Sequence, residues 1–278
     1  MVTMKAIIIS KSDTASRNIF ENLLKLVDWR EEGEFQGNPI YLSSDYCIAT
    51  INDTHIFHDN LDLELSQVLE EKPECLIYAS RHRSESGKRS LTVHPIGNFQ
   101  KAEFGGKEKT LVPSSPHIMT QALRILRKKA KILDYTVSFE ATHHGPYLQT
   151  PTFFIEIGSE EEAWQDKEAG KAIAETILEA HATDYPVGIG VGGGHYVPRI
   201  TDVAIERKIS FGHIVPTYAL SYLTQETTEK VLRATASVEK VYFHKKHLKS
   251  EQYTKWKEVF SGKGITPVRS SDLEILSI

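Results

Sequence analysis

The chain has 278 residues, 40% of them hydrophobic, which is enough to bury a large core. Its 33 basic and 37 acidic side chains give a net charge of −4, which excludes a surface that is basic throughout, so any contact with nucleic acid must come from local patches. The two cysteines, Cys47 and Cys75, exclude a disulfide framework and fit a reducing compartment such as the cytoplasm.

The amino-terminal half of the chain predicts buried strands that alternate with helices. Lys5–Ser10 (KAIIIS) is a buried strand, and Ser12 or Asp13 can cap the amphipathic helix after it. The amino terminus lacks the long apolar region of a signal peptide, and no window has the roughly 20 apolar residues that span a bilayer. The next predicted elements are a meander over Tyr41–Phe57, a helix over Leu61–Glu71, a buried strand at Cys75–Ser80 and a helix over Ser115–Lys131.

The carboxyl-terminal half continues the alternation. Strands are predicted at Tyr135–Ala141, Phe153–Gly158, Val187–Val191 and Val241–Phe243, and helices at Ser159–His181, Thr224–Ser237 and Ser250–Phe260. In the first of these helices, Ser159 and Glu162 have the spacing of a capping box. The pattern predicts an α/β fold with a mixed, mostly parallel sheet flanked by helices. Because there is no repeat or low-complexity linker, residues 1–278 are predicted to form a single domain.

Three polar segments that contain histidine each follow a predicted buried strand. They are residues 80–83, 140–146 and 192–196. Ligands of parallel α/β sheets bind beyond the carboxyl ends of the strands. We therefore expect the three segments to meet at one edge of the sheet.

The first segment, Ser80–Asn98 (SRHRSESGKRSLTVHPIGN), concentrates charge. A guanidinium group can donate hydrogen bonds to two phosphate oxygens at once, so Arg81 and Arg83 are candidates for binding a phosphate group. A solvated surface loop has the same composition. The presence of His82 and His94 in the same segment favours a functional role.

The second segment is Glu140–Pro146 (EATHHGP). Adjacent histidines on an extended backbone point in opposite directions, so His143 and His144 can share one metal only if the chain turns, and the Gly-Pro pair after them favours a turn. Glu140 can serve as a metal ligand or as a general base. The alternative is a strand end with polar histidines that hydrogen-bond locally.

The third segment, Gly188–Pro198 (GIGVGGGHYVP), is rich in glycine. Gly193 and Gly194 can let backbone approach a ligand and offer amide donors to an anion, and His195 follows them directly. The segment lacks the pattern of an NTPase phosphate loop and only weakly fits a dinucleotide site. A tight turn chosen for its sterics is the structural alternative.

Other candidates carry less information. His213 lies among apolar residues and fits a core residue as well as a ligand. Lys128 and Lys129 lie in a basic helix end, where cations also complement the helix dipole, and Lys245 and Lys246 lie in a second basic cluster. No CxxC or HExxH spacing is present, so spacing alone does not establish zinc.

These motifs resemble the archaeal and plant-type D-aminoacyl-tRNA deacylase family. The resemblance covers nearly the whole chain and is specific in SRHRSESGKRSLTVHPIGNF, SFEATHHGPYLQTPTFFIEIGS, GVGGGHYVPRITD and FGHIVPTYAL. It implies a zinc-dependent enzyme that hydrolyses the ester between a D-amino acid and tRNA. It also implies a fold similar to the phosphorylases and peptidyl-tRNA hydrolases.

Under that resemblance, site residues are inferred from their place in the motifs. The expected zinc ligands are His143, His144 and His195, followed by His82 and His94, with Glu140 as general base and Glu85 in reserve. The tRNA 3′ end would contact Arg81, Arg83, Arg199, Gly193 and Gly194, and tRNA phosphates would contact Lys128 and Lys129. Alternatives are a phosphorylase-like or peptidyl-tRNA hydrolase-like enzyme and a non-catalytic tRNA-binding module. A cytoplasmic location is expected, with no membrane contact and no obligate protein partner.

Overall fold

The structure is a computed structural model that describes residues 4–69, 71–85 and 87–276. The strands are β1 Lys5–Ser10, β2 Arg30–Phe35, β3 Asn38–Leu42, β4 Tyr46–Ile51, β5 Cys75–Arg83, β6 Ser90–His94, β7 Gly97–Asn98, β8 Thr110–Leu111, β9 Thr136–Phe139, β10 Thr152–Ser159, β11 Val187–Val191, β12 Ser210–Val215, β13 Val238–Phe243 and β14 Thr266–Val268. The helices are α1 Thr14–Leu26, α2 Leu61–Leu69, α3 Pro116–Lys129, α4 Glu161–Trp164, α5 Lys167–Glu179, α6 Pro198–Glu206, α7 Gln225–Ala234 and α8 Ser250–Gly262.

Two sheets dominate the fold. The large sheet has the strand order β2-β3-β4-β1-β5-β10-β6-β9, and the second sheet has the order β12-β11-β13-β14 with parallel pairing throughout. In the large sheet, β4, β1, β5 and β10 are parallel neighbours, whereas β6 runs antiparallel to β10. The predicted α/β class, with a mixed and mostly parallel sheet flanked by helices, is therefore confirmed. The finer likeness to phosphorylases and peptidyl-tRNA hydrolases stays a prediction.

Both faces of the large sheet are buried. Along β1, Ile7 and Ile9 belong to one hydrophobic cluster and Ala6 and Ile8 to another, as the alternation of side chains along a strand requires. The larger cluster lies under α1, α3 and α5 and also contains Phe211 of the second sheet. This shared core agrees with the predicted single domain, which stays a prediction.

Several helices and strands have bounds in the structure that differ from the predicted ones. The helix predicted over Ser159–His181 is present as α4 and α5, but its predicted start and capping box are wrong: Ser159 ends β10, and Asp166 caps α5 by accepting hydrogen bonds from backbone amides of its first turn. The predicted meander is extended by β2 and β3 and ends in a short 3₁₀ turn at His55–Phe57. The helix predicted over Leu61–Glu71 is present as α2, and its position 70 lies outside the described residues.

One prediction at the amino terminus and one about the thiols are confirmed. Asp13 caps α1 by accepting a hydrogen bond from the amide of Ser16, at 2.9 Å. Cys47 and Cys75 are free, buried thiols. Among the described residues, no helix has the length and apolar character needed to cross a membrane.

Candidate metal centre

Glu156 lies near the middle of β10 and was missed by the sequence analysis. In the sheet register, Gly158 pairs with His82 of β5, and Phe154 pairs with His94 of β6, so the even-numbered residues of β10 share a face with both histidines. The Glu156 Oε2 atom lies 3.5 Å from His82 Nδ1 and 3.6 Å from His94 Nε2. A single charged residue inside the apolar run TFFIEIGS was the signal that could have revealed it.

Glu140 reaches the same sheet face from β9. Because β9 runs parallel to β6, the residue after its last strand position falls beside His94. Glu140 is fully buried, and its Oε1 atom lies 3.1 Å from His82 Nδ1. Its Oε2 atom lies 2.9 Å from His195 Nε2 and 3.5 Å from His143 Nε2. Neither oxygen has a hydrogen bond of acceptable geometry to any described residue, so the nearby nitrogens are close but not aligned as donors.

The two adjacent histidines have their rings close together, as sharing one metal requires. His144 has a φ of 46°, and its ring centroid lies 4.3 Å from that of His143. The Nδ1 atom of His143 lies 2.8 Å from the Ala141 carbonyl oxygen, and that of His144 lies 2.6 Å from the Gly145 carbonyl oxygen. When Nδ1–H donates to a carbonyl, Nε2 keeps its lone pair, which is the form that binds a metal.

His195 enters the site from the second sheet. It follows the glycines after β11, and its carbonyl accepts a hydrogen bond from the Ala141 amide at 2.8 Å. The next residue, Tyr196, forms a β-bridge with Glu140, and its hydroxyl lies 2.8 Å from His82 Nε2. This contact leaves Nδ1 of His82 facing the carboxylates.

The two carboxylates control the protonation of the imidazoles around them. Burial disfavours a charged His82 or His94, but the nearby carboxylates of Glu156 and Glu140 outweigh burial and raise the pKa of both. Burial and the proximity of His94 lower the pKa of His144 to about 4 and that of His143 well below its usual value. Burial likewise opposes the charge on Glu156, yet its contacts with His82 and His94 hold its pKa low.

These side chains form three overlapping groups whose donor atoms lie within 4.8 Å of one another. The groups are His94, His143 and His144; His82, Glu140 and His195; and His94, Glu140 and Glu156. The first two groups have no member in common. Unpartnered buried oxygens on Glu140 and an unpartnered Nε2 on His94 fit a shared cation, since a buried polar atom is otherwise satisfied by a hydrogen bond. Imidazole and carboxylate together suit zinc among the divalent metals.

A cavity of about 320 Å³ opens onto the histidines. His143, His144 and His195 line it, together with aromatic side chains at its rim: Phe99, Phe104, Tyr218 and Tyr222. The side chain of His195 is 40% exposed, whereas that of Glu140 is inaccessible, so the imidazoles lie between the cavity and the carboxylate. A substrate in this cavity would meet histidine nitrogens first.

Comparison with known proteins identifies the family. A family model described as D-aminoacyl-tRNA deacylase matches residues 69–268. This chain belongs to the D-aminoacyl-tRNA deacylase family. A D-aminoacyl-tRNA deacylase of Pyrococcus abyssi is 40% identical over 254 residues, which cover 89% of this chain and 93% of the relative. One of Methanosarcina mazei is 37% identical over 276 residues, covering 96% and 92%. The crystal structure of a conserved protein of unknown function superposes with a TM-score of 0.91 at 34% identity and covers 99% of both chains.

The D-aminoacyl-tRNA deacylase family was predicted from the motifs, and the prediction is confirmed. The structure also brings together the histidines of the three predicted segments, but on a face of the large sheet and not at one carboxyl edge. This difference arises from β6, which lies inside the charged segment that follows β5. Strand β6 runs antiparallel to β10, and β9 pairs in parallel with β6. The carboxyl ends of β6 and β9, with His94 and Glu140, therefore lie toward the end of the sheet opposite to the carboxyl end of β5, with His82.

The predicted phosphate-binding arginines lie around this site without entering it. Arg81 lies over the ring of Trp164 at 5.2 Å, and its backbone amide donates to Asp13. Arg83, at the end of β5, is exposed, and so is Glu85 in the turn after it. Their assignment to substrate binding and to a reserve general base stays a prediction.

Gly193 and Gly194 lie beside the histidine site, whereas Arg199 lies at another cavity. The amide of Gly193 donates to the Thr217 hydroxyl at 3.1 Å and is therefore already used, whereas Gly194 is exposed. Arg199 points away from the histidines and contacts the hydroxyls of Tyr242 and Ser270. The sequence analysis grouped these residues as one substrate site, whereas Arg199 lines a separate cavity.

Two remaining candidates lie elsewhere. Lys129 binds Glu175 and Glu179 of α5 at 2.9 and 2.7 Å, and the exposed Lys128 shares α3 with it, on the sheet face opposite Glu156. Their contact with tRNA stays a prediction. His213 is a core residue: it is fully buried between Thr142 and the Val112 carbonyl, and burial lowers its pKa to about 4.

Proposed function

We propose that this chain hydrolyses the ester of D-aminoacyl-tRNA with zinc held by its histidine cluster, and that it does so in the cytoplasm without a protein partner. Deacylation of D-aminoacyl-tRNA is the function that the family model and the names of the relatives support. The observation that carries the metal part is the pair of unpartnered Glu140 oxygens, buried among imidazole nitrogens beneath an open cavity.

The donor groups suggest how a metal would be held. His82, Glu140 and His195 would bind one ion, and His94, His143 and His144 have donors for a second. A bound zinc ion supplies a Lewis acid for the ester carbonyl and lowers the pKa of a coordinated water to about 7. Glu156 faces His82 Nδ1 and His94 Nε2, the nitrogens that would hold the metal, so its carboxylate would be a further ligand.

The role proposed for Glu140 changes with the geometry. The sequence analysis favoured a general base, which must reach a water molecule in the cavity. Complete burial behind His143 and His195 favours a metal ligand instead. The more exposed imidazole of His195 is then the group best placed to contact the ester.

The cavity supports recognition of the aminoacyl end. Its aromatic rim would pack against the side chain of the amino acid or the terminal base and exclude water from the ester. Gly194, whose backbone is exposed beside His195, is the best placed of the predicted contacts to reach the terminal nucleotide, because Arg81 and Arg83 alternate with His82 along β5 and face the other side of the sheet. Chirality would be discriminated by the shape of this cavity, because an L side chain would point to a different wall.

The decisive experiment compares D-tyrosyl-tRNA with L-tyrosyl-tRNA as substrates of the purified chain. We expect release of D-tyrosine, loss of that release after dialysis against a chelator, and recovery on addition of Zn²⁺. Release that survives complete metal removal would contradict the metal proposal. Binding of tRNA without release would support the non-catalytic alternative, and a strict requirement for inorganic phosphate would support a phosphorylase.

A further inference from the structure

A second, larger cavity lies beside the second sheet. It has a volume of about 580 Å³ and begins where β13 ends. Its lining includes Arg199, His244, Lys245, Lys246 and Arg269 and no acidic side chain. In a chain whose net charge is −4, such a lining is a local concentration of positive charge.

The cations of this cavity are largely uncompensated. Among the ion pairs of the described residues, none involves Lys245, Lys246 or Arg269, and Arg199 has only Asp202 at 3.9 Å. Arg199 is held in place by Tyr242 and Ser270, and the ammonium of Lys245 lies over the ring of Tyr253 at 4.1 Å. Arg199 is thus the only cation of this lining with an anionic partner among the described residues, and a set of cations that lacks counter-charges can bind phosphate groups.

His244 gives a second indication of a ligand. Its Nδ1 atom is buried and has no hydrogen-bond partner among the described residues, although the side chain lines the cavity. Burial together with the charges of His247, Arg199 and Lys246 lowers its pKa, in agreement with a positive potential at this position. A polar ligand in the cavity would satisfy the unpartnered nitrogen.

The basic cavity adjoins the metal centre through one loop. The amide of His244 donates to the Val191 carbonyl, and a Cβ atom on Gly192 would lie 3.2 Å from the His244 carbonyl oxygen. His195 is only two residues beyond Gly193, so at most about 7.6 Å separates their Cα atoms. The loop that carries His195 therefore packs directly against His244 in the lining of the basic cavity.

We infer that the basic cavity binds the phosphodiester groups that precede the terminal nucleoside of the tRNA, while the ester of that nucleoside lies at the histidine cluster. The inference rests on the proposed function. An aminoacyl ester on a terminal ribose has all its phosphates on one side, so the enzyme needs an anion site in one direction from the metal. The cations and the adjoining loop place that site at the end of β13.

The test separates a phosphate-bearing substrate from a phosphate-free one. The double variant Lys245→Gln/Lys246→Gln is assayed on D-tyrosyl-tRNA and on the 3′-O-D-tyrosyl ester of adenosine, in the metal-loaded full chain. Lys257→Gln, an exposed lysine of α8 outside the cavity, is the matched control. We expect KM for the tRNA to rise at least about tenfold, with a salt dependence flattened by about 0.7 per lost contact in the logarithmic slope. We expect kcat/KM for the adenosine ester to stay within about twofold of the parent.

The alternative results overturn the inference. Unchanged KM and salt slope for tRNA would show that no phosphate uses the cavity, and Arg269→Gln repeats the measurement at an independent position. An equal loss on both substrates would place the lysines in general stability, since the adenosine ester carries no phosphate. If the unmodified chain releases tyrosine from neither substrate, the proposed function itself fails, which is a different outcome from either of these.

Discussion

Replacing Glu140 by glutamine tests the centre of the proposed site. The change keeps the shape of the side chain and removes its charge, at a point where nitrogens of His82, His195 and His143 lie between 2.9 and 3.5 Å from its oxygens. Removing one partner of a buried ionic pair costs about 3–5 kcal/mol. If the carboxylate contacts the metal, this corresponds to roughly 10²–10⁴-fold weaker metal binding. We therefore expect Glu140→Gln to lose zinc and, with it, activity.

Three measurements on the same preparation distinguish the roles of Glu140. They are the zinc content, the rate of D-tyrosine release in a single turnover, and the melting temperature, with the exposed Glu71→Gln as matched control. Full zinc content with a rate lowered about 10²–10⁴-fold would instead identify a general base. Full zinc content, normal rate and normal melting would refute any role of Glu140 in the site, and Glu85→Gln would then be the next variant to measure.

Three further predictions follow, two for residues at or beside the histidine cluster and one for a buried arginine of α3. In the metal-free protein, Glu156 raises the pKa of His82 and His94, so their protonated forms stabilise the fold below about pH 6.5, and this contribution is lost as the pH rises through the raised values. The difference in melting temperature between the parent and Glu156→Gln should accordingly be larger at about pH 6 than at about pH 9, and equal differences would contradict the pairing. Arg124→Met should lower the free energy of unfolding by at least about 3 kcal/mol in denaturant titrations, because the buried guanidinium donates to three backbone carbonyls, and a loss below about 1 kcal/mol would show that they find other donors. Gly193→Ala should lower kcat/KM at least about tenfold, because φ is 104° there and an added Cβ lies 3.0 Å from the Val197 side chain; normal turnover would show that the loop tolerates the shift.

The alternation of apolar runs with helices was sufficient to predict the fold class. Strand β1, helix α1 and the cap at Asp13 follow from local patterns, because one buried face and one capping side chain determine them. Strand β6 could not be predicted in the same way. Its sequence, SLTVH, is short and follows a highly charged stretch, and its pairing depends on β10, which is about 60 residues further along the chain.

The same limit applied to the site. The five histidines were found because they lie in polar segments with unusual composition, whereas Glu156 lies inside a strand and is recognised only through its neighbours in the sheet. Arg199 was assigned to the histidines because it follows them closely in sequence. Its side chain points to the other cavity because α6 begins at Pro198 and turns the chain.

The positions of the site residues along the chain determine when, during synthesis, the histidine and carboxylate cluster can form. His82, His94, Glu140, Glu156 and His195 come from chain segments spread over more than a hundred positions, and the last of them belongs to the second sheet. A nascent chain that has emerged only as far as β10 therefore has the carboxylates but lacks His195, together with the backbone contacts from residues 195–197 that secure β9. An ion captured at that point would be held by an incomplete set of donors. If the proposed metal binds, its tight retention would therefore require that both sheets have been synthesised and have packed together.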